Sequence, residues 1–275
     1  MFDRKVLKTR AKSVLATSYW QIFGTMLLFS LATTFIDNFF SPKIPPTITL
    51  ASPRVIALFG VTMFIRLILQ FAATVFLTLP LQVGLNKYLI DSAKGGVPGI
   101  DSFAYAFRSN YKSVISVVFA KQIIIIVLTV IPVVIAGVAT VYILARSGVT
   151  FPTTINTAHL ERLTITLSES PEYLALSLAM LVLLIPAIVK MYDYYLVEYI
   201  IAEDSSLSWR EALDKSKKLM KGNRFSVFVL GLSFLGWQFL GLLAFGIGSV
   251  FVTPYILATD AQLYLELSGK STFDF

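Results

Sequence analysis

Six ionisable residues stand where this chain is otherwise apolar: Arg66, Lys121, Asp193, Glu198, Asp260 and Glu266. In hydrocarbon such a group is costly, and it marks an ion pair, a hydrated path or a ligand site. Arg66 has two readings. If its helix starts at Ser52, the guanidinium lies at mid-membrane and could bind an anion; if the helix covers 67–86, it snorkels outward. Lys121 follows Ser113 by eight residues, about 12 Å along a helix, so its ammonium needs a partner or a water-filled cavity. The four carboxylates lie among tyrosines and near basic segments. They either pair with those lysines and arginines and pin helices together, or titrate as part of a proton- or cation-coupled transport site.

Other chemistry has little material to work with. There is no cysteine, which removes disulfides, thiolate metal sites and thiol nucleophiles. The one histidine, His159, shares a loop with Glu161 and Glu169, a set without metal-ligand spacing that reads as an ordinary outer loop. No phosphate-cradling glycine loop, zinc helix or nucleophile elbow is found. The expectation is a non-enzymatic protein with no cofactor and no metal.

The elements that position these residues follow from composition. Of 275 residues 56% are hydrophobic and 14% charged, against about 25% charged in soluble domains, so lipid must be the solvent for much of the molecule. A helix crosses the roughly 30 Å hydrocarbon layer with about 20 apolar residues. Charge-free runs cover 21–36, 67–86, 122–145, 173–189 and 225–259. The last, 35 residues long, would extend about 52 Å, too far for one crossing, and a turn at Phe245-Gly246-Ile247-Gly248 splits it. The reading is an all-α polytopic membrane protein with six transmembrane helices.

Basic residues orient it. Seventeen of the 23 lysines and arginines fall in the N-terminal segment, the connections after spans two and four, and the tail, which puts both termini on the cytoplasmic side. The first span has no small-residue cleavage site behind it and is read as retained. The net charge of +7 is then a topology signal and an attraction to anionic lipid headgroups of the inner leaflet. Nucleic acid is not an expected partner, because the basic residues are spread over three membrane-proximal segments without a reading motif.

A short helical segment precedes each odd-numbered span. The third begins at the capping box Ser208-Trp209-Arg210-Glu211, with Trp209, Ala212, Leu213, Ser216, Leu219 and Met220 on one face and a largely basic opposite face. Such an amphipathic helix would lie in the interface, tryptophan side down. It stops at Gly222-Asn223, both suited to the left-handed conformation. Stretches 15–22 and 107–114 match 220–227 in order, and the middle one follows a helix over 100–107 capped by Asp101 or Ser102. The expected lipid-headgroup contacts are Lys5, Lys8, Lys12, Trp209, Lys215, Lys217, Lys218 and Lys221. The second span of each pair carries a kinking proline, Pro80, Pro186 or Pro254. The picture is a single membrane domain over 1–275, built from three parallel helix-hairpin repeats near 1–95, 96–203 and 204–275, each introduced by an interfacial helix. Gly231, Gly236, Gly241 and Gly246 recur every five residues, a spacing that makes no four-residue stripe and suits relief of crowding by Trp237, Phe239 and neighbouring helices.

Ala202-Glu203-Asp204, Arg210-Glu211-Ala212-Leu213, Ser216, Met220-Lys221-Gly222-Asn223, then 232–237, Gly246-Ile247-Gly248 and Pro254-Tyr255 resemble the C-terminal signature of a bacterial family of integral membrane proteins, domain of unknown function 975. Leu7, Arg10-Ala11-Lys12, Leu15 and Tyr19-Trp20 resemble that family's opening. The repeated elbow is more weakly similar to the membrane domain of glycerophosphodiester phosphodiesterases, whose soluble catalytic domain has no counterpart here. The resemblance implies a multi-span protein of the bacterial cytoplasmic membrane and supplies no catalytic residues. The expected function is a scaffold or accessory factor that binds anionic lipid or another membrane protein. The alternative is a transporter or efflux factor for a small or amphipathic substrate, with Lys121 and the acids near Pro186 and Pro254 along its path.

Overall fold

The computed structural model describes residues 2–41, 48–49, 53–146, 154–155, 164–165, 167–243 and 246–270. Long apolar segments become helices because the intrahelical ladder satisfies every backbone group without water. In chain order the helices are α1 Arg4–Phe40, α2 Pro53–Ala73, α3 Leu79–Ala93, α4 Tyr105–Arg108, α5 Tyr111–Arg146, α6 Pro171–Leu183, α7 Ile185–Asp193, α8 Val197–Glu203, α9 Trp209–Met220, α10 Arg224–Leu232, α11 Leu235–Leu243 and α12 Ile247–Leu267. A π-turn, Thr74–Thr78, joins α2 to α3, and a 3-10 turn, Ile100–Ala104, leads into α4.

Five helical segments among the described residues are long and apolar enough to cross a membrane: Arg4–Phe40, Ala57–Ala93, Tyr111–Arg146, Pro171–Glu203 and Arg224–Leu243. They fit a membrane-embedded protein. The sequence suggested six. Helix α12 has 21 residues but carries Asp260, Gln262 and Glu266, and it is not among the five.

The backbone breaks where the three short matched stretches lie. Ser18 leaves helical geometry inside α1 (φ −125°, ψ 15°), Ser109 is extended between α4 and α5, and Gly222 turns left-handed between α9 and α10 (φ 81°). Asn223 stays right-handed and heads α10. The capping box of α9 is formed in both directions, Ser208 to Glu211 and back. The earlier turn is not capped by Asp101 or Ser102: Gly99 occupies the N-cap and no side chain bonds there, because Asp101 folds back over Gly99, within 2.4 Å of where a Cβ would sit. Gly246 is left-handed (φ 79°) at the reversal expected in the 35-residue run, although Ala244 and Phe245 lie outside the described residues.

The five-residue glycine spacing has no common cause. An added Cβ at Gly231 or Gly236 would meet open space, whereas at Gly241 it would come 2.5 Å from the Ser249 amide, where α11 and α12 pack together.

Two compact units are present. The first holds Met1–Asn38, Ala73–Lys121 and Met191–Phe275. Its core is the cluster of α3, α8 and α12: Leu89 and Ile90, Val197, Ile200 and Ile201, and Leu263, Tyr264 and Leu265 are fully buried. Helix α3 packs on both α8 and α12, and α9 packs on α8. The second unit holds Phe39–Ala72 and Gln122–Lys190. It includes a two-residue antiparallel pairing, Ile48 opposite Ile155 and Thr49 opposite Thr154. Among its described residues Phe64, Leu67, Ile131, Val134, Leu178 and Leu181 are all exposed, apolar side chains of the kind that suit acyl chains rather than water.

Candidate functional site

The polar side chains of the first unit gather at the helix ends. Glu203 closes α8 and receives three donors: Lys94 Nζ at 2.8 Å, Lys270 Nζ at 2.6 Å and the Tyr264 hydroxyl. Lys94 follows the last residue of α3 and Lys270 stands just beyond α12, so both cations sit near helix C-termini, where the macrodipole favours them. Tyr264 stacks on Tyr199 with ring centroids 5.7 Å apart, and Gln262 Nε2 donates to the Ala93 carbonyl at 3.2 Å. One carboxylate therefore ties together the ends of three helices.

The four carboxylates singled out by sequence each meet a donor. Arg10 Nη1 lies 2.6 Å from Glu266. Lys121 Nζ lies 2.6 and 2.7 Å from the two oxygens of Glu198. Arg224 pairs with Asp193, and Tyr195 donates to Asp260 at 2.9 Å. Asp193 and Glu198 are almost fully buried. Removing one partner of such a pair strands a charge and costs about 3–5 kcal/mol, so these contacts hold helices in register. Asp260 differs from the other three in having a hydroxyl for its partner.

Two tyrosine hydroxyls bond backbone carbonyls close to prolines. Pro80 has no N–H, so the carbonyl four residues earlier, that of Phe76, lacks its helical donor; the Tyr111 hydroxyl donates to it at 2.8 Å. Tyr19 donates to the Phe251 carbonyl at 3.2 Å, three residues before Pro254.

The basic residues expected at lipid headgroups divide. Lys5, Lys12, Lys217, Lys218 and Lys221 are exposed, while Lys215 is half-buried. Lys8 is engaged by protein: its Nζ reaches the Ser233 carbonyl at 3.5 Å and lies 4.4 Å from the Phe234 ring centre. The apolar face of α9, expected to rest on lipid, is covered by protein instead. Ala212, Leu213, Ser216 and Met220 are buried, and the small Ser216 allows close approach, donating to the Asp193 carbonyl at 2.8 Å and accepting from the Leu196 amide at 3.3 Å. Trp209 stays exposed, with the Arg210 guanidinium 5.0 Å from its ring. What α9 offers outward is its basic face.

In the second unit Arg66 Nη1 donates to the Ser41 carbonyl at 3.3 Å, just past the end of α1. It borders a cavity of about 360 Å³ with Phe39, Phe40, Thr62, Ile65 and Leu69. The described residues contain no group of three or more histidines and carboxylates placed to hold a metal; His159 and Glu161 lie outside them.

Sequence reasoning missed Glu203, Lys94, Lys270 and Tyr264 as a group. The available signal was position: each stands at or near the end of a helix in the second half of its segment. The family comparison is specific. A model described as "Protein of unknown function (DUF975)" matches residues 1–271. No curated protein and no solved structure matches the chain.

Proposed function

The chain belongs to the DUF975 family of proteins of unknown function, and from that membership and its ionic frame we propose a non-enzymatic scaffold of the bacterial cytoplasmic membrane that binds anionic lipid, or a membrane partner, through the basic face of α9. The proposed topology has six crossings, α12 being the sixth, and both termini cytoplasmic. Its three parallel repeats each comprise a short in-plane helix, an elbow and two crossings. The breaks at Ser18, Ser109 and Gly222, one per repeat, support this layout, as does the charge distribution.

The observation that carries the functional reading is the division of α9: an apolar face sealed against α8, and Arg210, Lys217, Lys218 and Lys221 left exposed. Each basic residue near an anionic surface contributes about 1 kcal/mol. The test is the lipid shell of purified protein in mixed anionic and zwitterionic nanodiscs. Replacing Lys215, Lys217, Lys218 and Lys221 by glutamine should abolish the anionic enrichment, and an unchanged shell would defeat the proposal. Reporters fused at Met1 and Phe275 should read from the same face.

One observation favours a second reading. Asp260 has a tyrosine hydroxyl and no cation as partner among the described residues, and a carboxylate without counter-charge inside a bundle suits proton- or cation-coupled transport. Asp260→Asn separates the two: lost abundance marks a structural carboxylate, while normal abundance with lost proton-linked flux marks a carrier.

A further inference from the structure

A groove at the third elbow, within the first unit, takes part in none of the contacts described above. It encloses about 510 Å³ between the start of α1 and the start of α10, with Phe2, Asp3 and Arg4 on one side and Phe225, Ser226 and Val229 on the other. Ser226 is 8% exposed, and its hydroxyl has no hydrogen-bond partner among the described residues. That oxygen is not sealed off but keeps accessible surface, so a group seated in the groove can bond it.

The two helix starts explain the chemistry of this space. Helix α10 begins without a side-chain cap, because Asn223 turns its amide back to the Leu219 carbonyl at 3.0 Å. Val227 is the first residue whose amide finds a carbonyl, that of Asn223 at 2.9 Å. Among the described residues the amides of Arg224, Phe225 and Ser226 remain free donors at the positive end of the helix dipole. Helix α1 is capped: Asp3 Oδ1 accepts from the Lys5 amide at 2.7 Å. The second Asp3 oxygen has no partner, and the Arg4 guanidinium forms no ion pair, among the described residues.

The groove thus sets a cation and several donors beside one free carboxylate oxygen. A phosphate answers Arg4, the Ser226 hydroxyl and a helix N-terminus. A ligand carrying negative charge alone would meet repulsion from Asp3, whereas one with an ammonium a few atoms from its phosphate answers both. That ammonium must carry N–H bonds, because a carboxylate accepts hydrogen bonds and a quaternary ammonium has none to give. Phe225, 75% exposed, and Val229 accommodate the adjoining hydrocarbon. We propose that this groove seats a zwitterionic phospholipid whose headgroup ends in a primary ammonium, with its phosphate on Arg4 and Ser226 and its ammonium on Asp3. The site is separate from the basic face of α9, and it rests on the reading above only for the placing of this elbow at the membrane surface.

The test uses the full chain in an amine-oxide detergent with equal amounts of phosphatidylethanolamine and phosphatidylcholine of one acyl composition, and native mass spectrometry counts the lipids retained. One phosphatidylethanolamine per chain should be held in preference to phosphatidylcholine by about tenfold, the equivalent of one hydrogen bond to a charged group. Asp3→Asn keeps the cap, since asparagine caps a helix as well as aspartate does. The unfolding temperature of the lipid-free variant should therefore hold while the preference disappears. Ser226→Ala should weaken retention of both lipids about fivefold and leave the preference intact. With Lys215, Lys217, Lys218 and Lys221 replaced by glutamine, phosphatidylglycerol should rank below phosphatidylethanolamine as well. Loss of the anionic shell in that variant with the ethanolamine preference retained separates this site from α9, so the two readings fail independently. Equal retention of the ethanolamine and choline lipids by the wild type, a preference that survives Asp3→Asn, or phosphatidylglycerol ranking first in the glutamine variant would overturn the proposal.

Discussion

Arg10 and Glu266 are 256 residues apart in the chain and 2.6 Å apart in space. Around them Lys8 reaches the Ser233 carbonyl and Tyr19 the Phe251 carbonyl, so the first helix is bonded to the last elements at three levels. The other elbows behave alike. Tyr111 bonds back to Phe76, beside Pro80, and Arg224 bonds back to Asp193, seven residues past Pro186. The second and third elbows thus reach the proline-bearing segment before them, and the first reaches α12, which carries Pro254.

The Arg10–Glu266 pair should show this in a double-mutant cycle. Arg10 is buried but the Glu266 side chain is 35% exposed, so the penalty for stranding one partner falls between the surface and interior cases. Arg10→Met or Glu266→Gln should each cost about 1–3 kcal/mol of unfolding free energy, and the double variant should lose much less than the sum. Additive losses would mean that the two side chains act independently.

Gly84 offers a sharper contrast. A Cβ there would lie 2.1 Å from the Phe103 carbonyl oxygen, a backbone atom that cannot move without shifting the whole turn before α4. Gly84→Ala should therefore destabilise by about 1–3 kcal/mol or more through overpacking. Gly137→Ala, in α5 with open space around it, should be neutral or stabilising by up to about 1 kcal/mol through helix propensity. Thermal unfolding of the two variants in one detergent decides it.

The all-helical class, the long apolar helices and the third elbow were legible because each rests on a local pattern: charge-free length, or a capping box followed by glycine. The pairing of Lys121 with Glu198 was half legible, since burial depth said that Lys121 needs a partner but not which. Glu203 was invisible as a hub. Its donors Lys94 and Lys270 come from distant helix ends, and only the packing of α3, α8 and α12 brings them together. The apolar face of α9 was misread for a related reason: periodicity shows that a face is apolar, while whether lipid or α8 covers it is decided by the shape of the neighbour, here by the close fit around Ser216.

The α9 capping box carries a pH dependence. The Glu211 carboxyl is held below the usual glutamate range, chiefly by the Ser208 hydroxyl and next by the Ser208 amide. Because its folded value is depressed, the stabilisation is complete above the unfolded value and is lost as pH falls through the folded one. Protection from amide exchange at the first turn of α9, taken relative to the intrinsic rate at each pH, should fall in acid below the ordinary carboxylate range, and Ser208→Ala should bring that loss of protection to neutral pH. Wild-type protection that stays constant across that range would show that the box contributes nothing to the helix start.

Tyr111 and Pro80 make a coupled pair whose sign can be worked out beforehand. With Pro80 in place, the Phe76 carbonyl depends on the Tyr111 hydroxyl, and Tyr111→Phe leaves a carbonyl in an apolar setting with no donor, at a cost of about 1–3 kcal/mol. Pro80→Ala restores an N–H to the backbone and removes the steric reason for the preceding π-turn, Thr74–Thr78. In that background the carbonyl has an intrahelical donor, and Tyr111→Phe should cost no more than a few tenths of a kcal/mol. Chemical unfolding of the four proteins measures the coupling directly. Equal losses from Tyr111→Phe in both backgrounds would mean that the hydroxyl does not substitute for the donor that Pro80 lacks.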